Sequence, residues 1–146
     1  FCIASTPAFL EGRGEILHVV DRMPRLPMLL VNPGVEVPTK DVFAALQIHS
    51  GVEMALPQGG FSDTADLLRF LETTRNDLEA PARVLQPVIG NVLGALAALP
   101  GALFTRMSGS GASVFGLFAD CHAAARAARA LRAAHPPWRV AATLLR

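Results

Sequence analysis

Two short apolar runs separated by six small residues constrain the fold of this chain more than any other feature. Residues 102–107 (ALFTRM) and 114–118 (VFGLF) each have the length and apolar content of a β-strand. Residues 108–113 (SGSGAS) lie between them, and their two glycines can adopt the positive φ values that a tight turn needs. The pattern predicts two adjacent strands joined by a glycine-rich turn.

The rest of the chain predicts three further strands and a set of helices. We expect strands over 14–20, 26–31 and 138–145, and a surface loop over 49–61. Helices are expected over 39–47, 63–71, 76–99 and 120–134, with breaks near Pro81 and Pro87 and with Thr39, Ser62 and Asp120 as N-caps. This order predicts one α+β domain over 1–146, with helices packed on one face of an antiparallel sheet.

Composition excludes several classes of protein. Hydrophobic residues make up 51% of the 146 and charged residues 17%, which excludes a disordered tail. The apolar runs fall well short of the ~20 residues that span a bilayer. A net charge of +1 gives no electrostatic footprint for nucleic acid or an anionic membrane, so we expect neither as a partner.

The cysteines and the first residue bear on processing and compartment. Cys2 and Cys121 could form one disulfide or remain two thiols, and a reducing cytosol favours the thiols. The chain begins with Phe1, and no charged segment followed by an apolar run comes after it. We therefore expect an excised or processed piece of a bacterial cytoplasmic protein.

The residues alone leave the chemistry open. The 108–113 turn could present backbone N–H groups to an anion or could be a purely structural hairpin, and no lysine follows it as in a Walker loop. Thr39 suits a helix cap or a ligand contact, and Phe43 suits the core or a ligand. The acidic run at 76–79 fits general acid–base chemistry or the first turn of a helix. The four scattered histidines predict no metal site.

Three runs together resemble a known family. Residues 30–43 (LVNPGVEVPTKDVF), 74–82 (TRNDLEAPA) and 105–118 (TRMSGSGASVFGLF) resemble, in order and spacing, the C-terminal half of the GHMP kinases. The run at 11–15 (EGRGE) is similar to the passage into that half. The resemblance implies a ferredoxin-like sandwich. It is strongest to members that phosphorylate the 2-hydroxyl of a cytidine-diphosphate-linked methylerythritol in isoprenoid biosynthesis.

The resemblance also implies site residues and partners. Thr39 matches a position near the substrate diphosphate, and Phe43 matches an aromatic residue that stacks on cytosine. The glycine-rich turn facing the phosphates corresponds to Ser108, Gly109, Ser110, Gly111 and Ala112. The complete enzyme would use ATP and Mg²⁺, with its catalytic residues in an N-terminal domain of the same polypeptide. This chain alone would bind neither cofactor, contain no catalytic residue and be inactive.

Further expectations and alternatives remain at this point. Arg106 is a weaker candidate for holding anionic groups, and we expect Gly111→Val to reduce turnover more than stability. The acceptor alcohol could instead be homoserine, mevalonate or a sugar. The chain could also be a stand-alone ferredoxin-like ligand-binding module.

Overall fold

The chain folds around one four-stranded antiparallel sheet. A computed structural model describes residues 7–12, 15–46, 57 and 59–145. In chain order the elements are β1 (Ala8–Glu11), β2 (Ile16–Val19), β3 (Leu26–Asn32), α1 (Thr39–Ala44), α2 (Thr64–Thr73), α3 (Glu79–Leu85), α4 (Val88–Ala97), β4 (Ala102–Met107), β5 (Val114–Phe118), α5 (Cys121–Ala134) and β6 (Arg139–Leu145). The predicted loop over 49–61 lies outside the described residues apart from 57 and 59–61.

The sheet has the strand order β4–β5–β3–β6. The central strand β3 pairs antiparallel with β6 along its whole length and with β5 from Met28 to Val31. With helices inserted after β3 and after β5, the four strands follow the β-α-β-β-α-β order of ferredoxin-like folds. The predicted α+β class is confirmed.

Both faces of the sheet are covered. Successive side chains of a strand point to opposite faces, and these strands place apolar side chains on both. Leu29, Val31 and Phe118 face one core, which α1, α3, α4 and α5 complete. Leu117 faces a second cluster, to which α2 contributes Leu67. Four of the five described helices therefore share one face, as predicted, while α2 and the β1–β2 pair cover the other.

The strand β1 was not predicted. It pairs antiparallel with β2, with Ala8 opposite Val19 and Leu10 opposite Leu17. Its four residues are too few to show an alternation that distinguishes a strand from a loop. Their pairing with β2, which no local pattern encodes, is what makes them a strand.

The N-cap of helix α2 lies one residue later than predicted. The side chain of Asp63, rather than Ser62, accepts the first-turn hydrogen bond, from the Asp66 amide at 2.8 Å. Ser62 instead donates its amide and its hydroxyl to the Asp66 carboxylate, at 3.0 and 3.1 Å. Both residue types suit an N-cap, so the local geometry decided between them.

Several other helix ends shift by two or three residues: α1 ends at Ala44 rather than at 47, α2 at Thr73 rather than at 71, and α4 at Ala97 rather than at 99. Helix α3 starts at Glu79 rather than at 76. The predicted break near Pro81 is wrong, because Pro81 lies in the first turn of α3, where no amide hydrogen is needed. The break near Pro87 is confirmed, because this residue is the N-cap of α4. Asp120 caps α5 as predicted by accepting from the Ala123 amide at 2.7 Å.

The described residues bear on two further expectations, which concern membrane-spanning segments and the two thiols. Of the helices described, none has both the length and the apolar character needed to cross a membrane. Cys121 is an exposed free thiol on α5, and Cys2 lies outside the described residues.

Candidate functional site

The glycine-rich turn joins β4 to β5 and is closed by its own backbone. The Ser108 amide donates to the Ser113 carbonyl at 2.8 Å, and the Gly111 amide donates to the Ser108 carbonyl at 3.1 Å. Gly109 and Gly111 have φ values of +56° and +91°. L-residues rarely adopt these values, which explains why glycine occupies both positions.

Backbone donors of the turn are left for other groups, and the amides of Gly109 and Ser110 are among them. Within the described part of the chain, the amides of Gly109 and Ser110 have no hydrogen-bond partner. Together with the serine hydroxyls they form a set of donors without any carboxylate. Backbone amides and hydroxyls of this kind suit a phosphate oxygen.

Thr39 lies directly against this turn. Its hydroxyl is 2.9 Å from the Ser110 hydroxyl, and 71 residues separate the two in sequence. Thr39 is the first residue of α1, and the N-cap is Pro38, which makes no side-chain capping bond. The prediction that Thr39 caps the helix is therefore wrong, because its hydroxyl is engaged by the turn instead of by the helix backbone.

Phe43 lies one helical turn after Thr39. Residues at i and i+4 share a helix face, so the aromatic ring projects from the same side of α1 as the threonine. The side chain is 54% exposed, whereas its neighbour Val42 is fully buried. This exposure excludes the core interpretation and leaves the ring free to contact a ligand.

The remaining contacts to the turn come from residues that the sequence did not assign to it. Asn32, at the end of β3, donates to the Ser113 hydroxyl at 3.0 Å. Asn76, shortly before α3, and Glu79, its first residue, bind the backbone around Met107. These partners are 28 to 81 residues away from the groups they bind, and no spacing rule in a single sequence connects them.

Arg106 is engaged elsewhere. Its guanidinium donates at 2.7 Å to the Thr74 hydroxyl, the Thr74 carbonyl and the Leu71 carbonyl, and it stacks over the Phe104 ring. Burial lowers the pKa of Arg106 from its usual range, and the negative charge of Glu79 opposes that shift. The side chain remains charged and fastens the end of α2 to β4. This geometry does not favour the anion contact expected for it.

The donor set also bears on Mg²⁺. In the ranges that the structure describes, no group of three or more His, Cys, Asp or Glu side chains could hold a metal ion. Mg²⁺ needs oxygen ligands, usually with one or two carboxylates, and the turn offers N–H and O–H donors. The described residues fit an anion and do not by themselves fit the metal.

The part of the sequence that contains the turn matches a known protein family. The sequence matches the family described as "GHMP kinases C terminal" over residues 54–137, which include the glycine-rich turn. The chain belongs to the GHMP kinases, C-terminal family. The match covers most of the chain, and it confirms the family resemblance carried by the turn and the residues before α3.

Individual relatives of this GHMP kinase chain are similar over nearly its whole length. The 4-diphosphocytidyl-2-C-methyl-D-erythritol kinase of Methylobacterium radiotolerans is 50% identical, over 99% of this chain and 51% of the relative. The same named kinase of Dinoroseobacter shibae is 46% identical, over 99% of this chain and 50% of the relative. The chain thus spans about half the length of the curated relatives it matches.

A solved structure agrees with these relatives. A crystal structure of 4-(cytidine 5'-diphospho)-2C-methyl-D-erythritol kinase matches 97% of this chain and 50% of its own, with a TM-score of 0.71 and 31% identity. The likeness confirms the α+β fold as that of a kinase C-terminal half.

Proposed function

We propose that this chain is the C-terminal part of an ATP-dependent kinase that phosphorylates the 2-hydroxyl of 4-diphosphocytidyl-2-C-methyl-D-erythritol. The observation that carries the proposal is the contact between Thr39 and Ser110, on the same side of α1 as the exposed Phe43. This contact brings hydrogen-bond donors that suit a phosphate to the side of α1 that carries the aromatic ring. The chain is also 50% identical to a kinase named for this substrate. The protein would act in the bacterial cytoplasm, in isoprenoid biosynthesis.

Each site residue has a distinct task in this proposal. Phe43 stacks on the cytosine, since an exposed aromatic ring can cover the π-face of a base. Thr39 contacts the substrate diphosphate. The turn residues Ser108, Gly109, Ser110, Gly111 and Ala112 approach the phosphates, because small side chains let the backbone come close.

The other half of the reaction lies outside this chain in the proposal. Phosphoryl transfer depends on positioning and on neutralising charge around the triphosphate, and bound Mg²⁺ supplies part of that charge. We place the ATP cradle, the metal ligands and the catalytic residues in an N-terminal domain of the same polypeptide. The 146-residue chain alone would then be inactive.

A first experiment compares the chain with the complete protein. ADP release is measured for both with the cytidine-linked alcohol, homoserine, mevalonate and a sugar as acceptors. We expect turnover with the cytidine-linked alcohol in the complete protein and none in the chain alone. Turnover of another acceptor alone would show that the proposed substrate is wrong. Turnover by the isolated chain would show that the catalytic residues do not lie in an N-terminal domain.

A second candidate acceptor has one observation in its favour. A crystal structure of homoserine kinase from Cytophaga hutchinsonii matches 89% of this chain and 45% of its own, with a TM-score of 0.64 and 26% identity. Phe43 discriminates between the two acceptors, because homoserine has no base to stack on. A stand-alone ligand-binding module would show saturable binding of an acceptor without ADP release in either protein.

Substitution of the ring tests the cytosine contact in the complete enzyme. Base–aromatic stacking contributes about 1–3 kcal/mol per base, so Phe43→Leu should raise KM for the cytidine-linked alcohol about 10- to 100-fold. Phe43→Tyr keeps a ring and should stay close to the parent. Leu144→Ala removes a 39%-exposed side chain at the far end of β6 and is the matched control. Equal KM values for all four proteins would exclude the stacking role.

A further inference from the structure

Two side chains, one shortly before α3 and one at its first residue, hold the end of β4 from outside the sheet. Asn76 donates its amide hydrogens to the Met107 carbonyl at 3.0 Å and to the Gly109 carbonyl at 2.8 Å. Glu79 accepts from the Met107 amide at 3.2 Å. Both backbone polar groups of Met107 are therefore bound by side chains of one short segment. We refer to Asn76 and Glu79 as the clamp.

The position of β4 explains why a clamp is needed. β4 is an edge strand, so alternate residues direct their backbone groups away from β5 and have no strand to pair with. At Met107 these groups face α3 and are buried with the residue, which is 1% exposed. A buried N–H or C=O without a partner costs free energy, and the clamp supplies both partners.

The clamp also reaches into the glycine-rich turn. The Gly109 carbonyl belongs to the turn itself. It lies in the same planar peptide unit as the Ser110 amide, so holding the carbonyl also fixes the direction of that amide. Asn76 in turn is fixed by accepting from the Leu78 amide at 3.1 Å, at the entry to α3. The side chain therefore makes one rigid connection between the start of a helix and the peptide units that carry the free amides.

We propose that Asn76, assisted by Glu79, is a positioning residue that sets the direction of the Gly109 and Ser110 amides toward the transferred phosphate. The inference rests on the proposed kinase function. Neither side chain touches substrate in this assignment. A misplacement of about 1 Å in such a donor can cost on the order of 100-fold in rate, so the clamp acts on turnover through geometry.

The chemistry of the two side chains makes the clamp testable by conservative changes. Asn76→Asp preserves shape but replaces an NH₂ donor with an oxygen facing two carbonyl oxygens, which breaks both bonds. Glu79→Gln keeps an oxygen that can accept from Met107, whereas Glu79→Ala removes it. Asn91→Asp makes the same chemical change at an exposed site on α4 and is the matched control.

The first measurement is steady-state kinetics of the complete protein. Asn76→Asp should lower kcat about 10- to 100-fold, with KM for the cytidine-linked alcohol within about 2-fold of the parent. Glu79→Ala should lower kcat in the same direction, and Glu79→Gln should restore it. Glu79→Ala also leaves the buried Met107 amide without its acceptor and lowers stability, so kcat is referred to the folded fraction of each variant, and a loss that is only structural disappears after this correction.

The second measurement does not depend on activity. Hydrogen exchange of the Gly111 amide, which is bonded to Ser108 within the turn, should become at least about 10-fold faster in Asn76→Asp, while the Ala123 amide in α5 is unchanged. If the complete parent releases no ADP with any acceptor, the proposed function is wrong, and exchange still decides whether the clamp holds the turn. Parental kcat and parental exchange in both Asn76→Asp and Glu79→Ala would overturn the inference.

Discussion

The glycine-rich turn and the β1–β2 pair are held in place by opposite means. The turn is fastened by directional hydrogen bonds from side chains on or beside three other elements, namely Asn32, Thr39 and Asn76, and Glu79 binds the Met107 amide just before the turn. The β1–β2 pair is fastened on one face, where Phe9 packs edge-on against Phe70 with ring centroids 5.6 Å apart. Its opposite face consists of Ala8, Leu10, Leu17 and Val19, which we call the apolar hairpin face.

The difference shows which part of the molecule is complete within the chain. Hydrogen bonds specify one geometry, so the turn has its conformation without any further contact. The apolar hairpin face still exposes 47% of Leu10, 42% of Leu17 and 54% of Val19. Burial of such side chains is favourable and non-directional. If the complete protein has the proposed N-terminal domain, we expect that domain to cover this face.

The largest expected effect lies in the turn. At Gly111 an added Cβ would lie 2.9 Å from the Met107 sulfur, at a φ of +91°. Left-handed strain and overpacking together should make Gly111→Ala cost about 2–4 kcal/mol of unfolding free energy. Denaturant unfolding of the chain measures it. The expectation that Gly111→Val affects turnover more than stability does not fit this geometry.

Gly109 supplies the control for that prediction. Its φ is +56°, but an added Cβ would meet no atom within 4 Å. Gly109→Ala should therefore cost only the conformational strain, about 1–2 kcal/mol. The pair separates crowding from backbone strain. Equal losses for the two variants would show that the packing around Gly111 yields easily, and that the turn is less tightly fastened than its hydrogen bonds indicate.

A smaller and context-dependent effect is expected on the apolar hairpin face. Val19→Thr keeps the β-branched shape and replaces one methyl group with a hydroxyl. In the 146-residue chain the site is exposed, so the free energy of unfolding should change by no more than about 0.5 kcal/mol. In the complete protein, burial of the hydroxyl should cost about 1–3 kcal/mol.

The same substitution elsewhere shows whether the effect belongs to the hairpin. Val84→Thr, at an 81%-exposed position of α3, should remain within about 0.5 kcal/mol in both proteins. Melting of each variant in both contexts gives the comparison. An identical, small change for Val19→Thr in the chain and in the complete protein would mean that the N-terminal domain does not cover this face.

The two regions also differ in how far the sequence predicts them. The strands and turn over 102–118 and the helix α5 were predictable because periodicity, capping by Asp120 and glycine conformation are all local signals. The strand β1 was not predictable, because it exists only through pairing with β2. The placement of α2 on the second sheet face likewise depends on long-range packing.

The site was predictable in its parts and not in its assembly. Thr39, Phe43 and the turn were named from the family resemblance, and the structure brings Thr39 into contact with Ser110. The role of Thr39 as a cap was wrong because a tertiary partner competed with the local one. Asn76 was considered within the 76–79 run, for acid–base chemistry or the first turn of a helix, and its contact with the turn was missed because the carbonyls that it binds are 31 and 33 residues away.

The smallest expected effect concerns the N-cap of α5, whose carboxylate can be protonated. Asp120 holds the first turn of α5 as the clamp holds β4, but it is exposed. The hydrogen bond from the Ala123 amide holds the pKa of Asp120 below its usual value of 3.8. A carboxylate whose pKa is lowered by folding stabilises the protein at pH values above its unfolded pKa, and this contribution is lost as pH falls through the folded pKa.

Melting from pH 6 to pH 2 should therefore show a smaller loss of stability at acid pH for Asp120→Asn, which caps the helix without titrating. Cys121→Ser, next in the chain, should keep the parental slope. A parental slope in Asp120→Asn would mean that the carboxylate charge adds nothing to this cap.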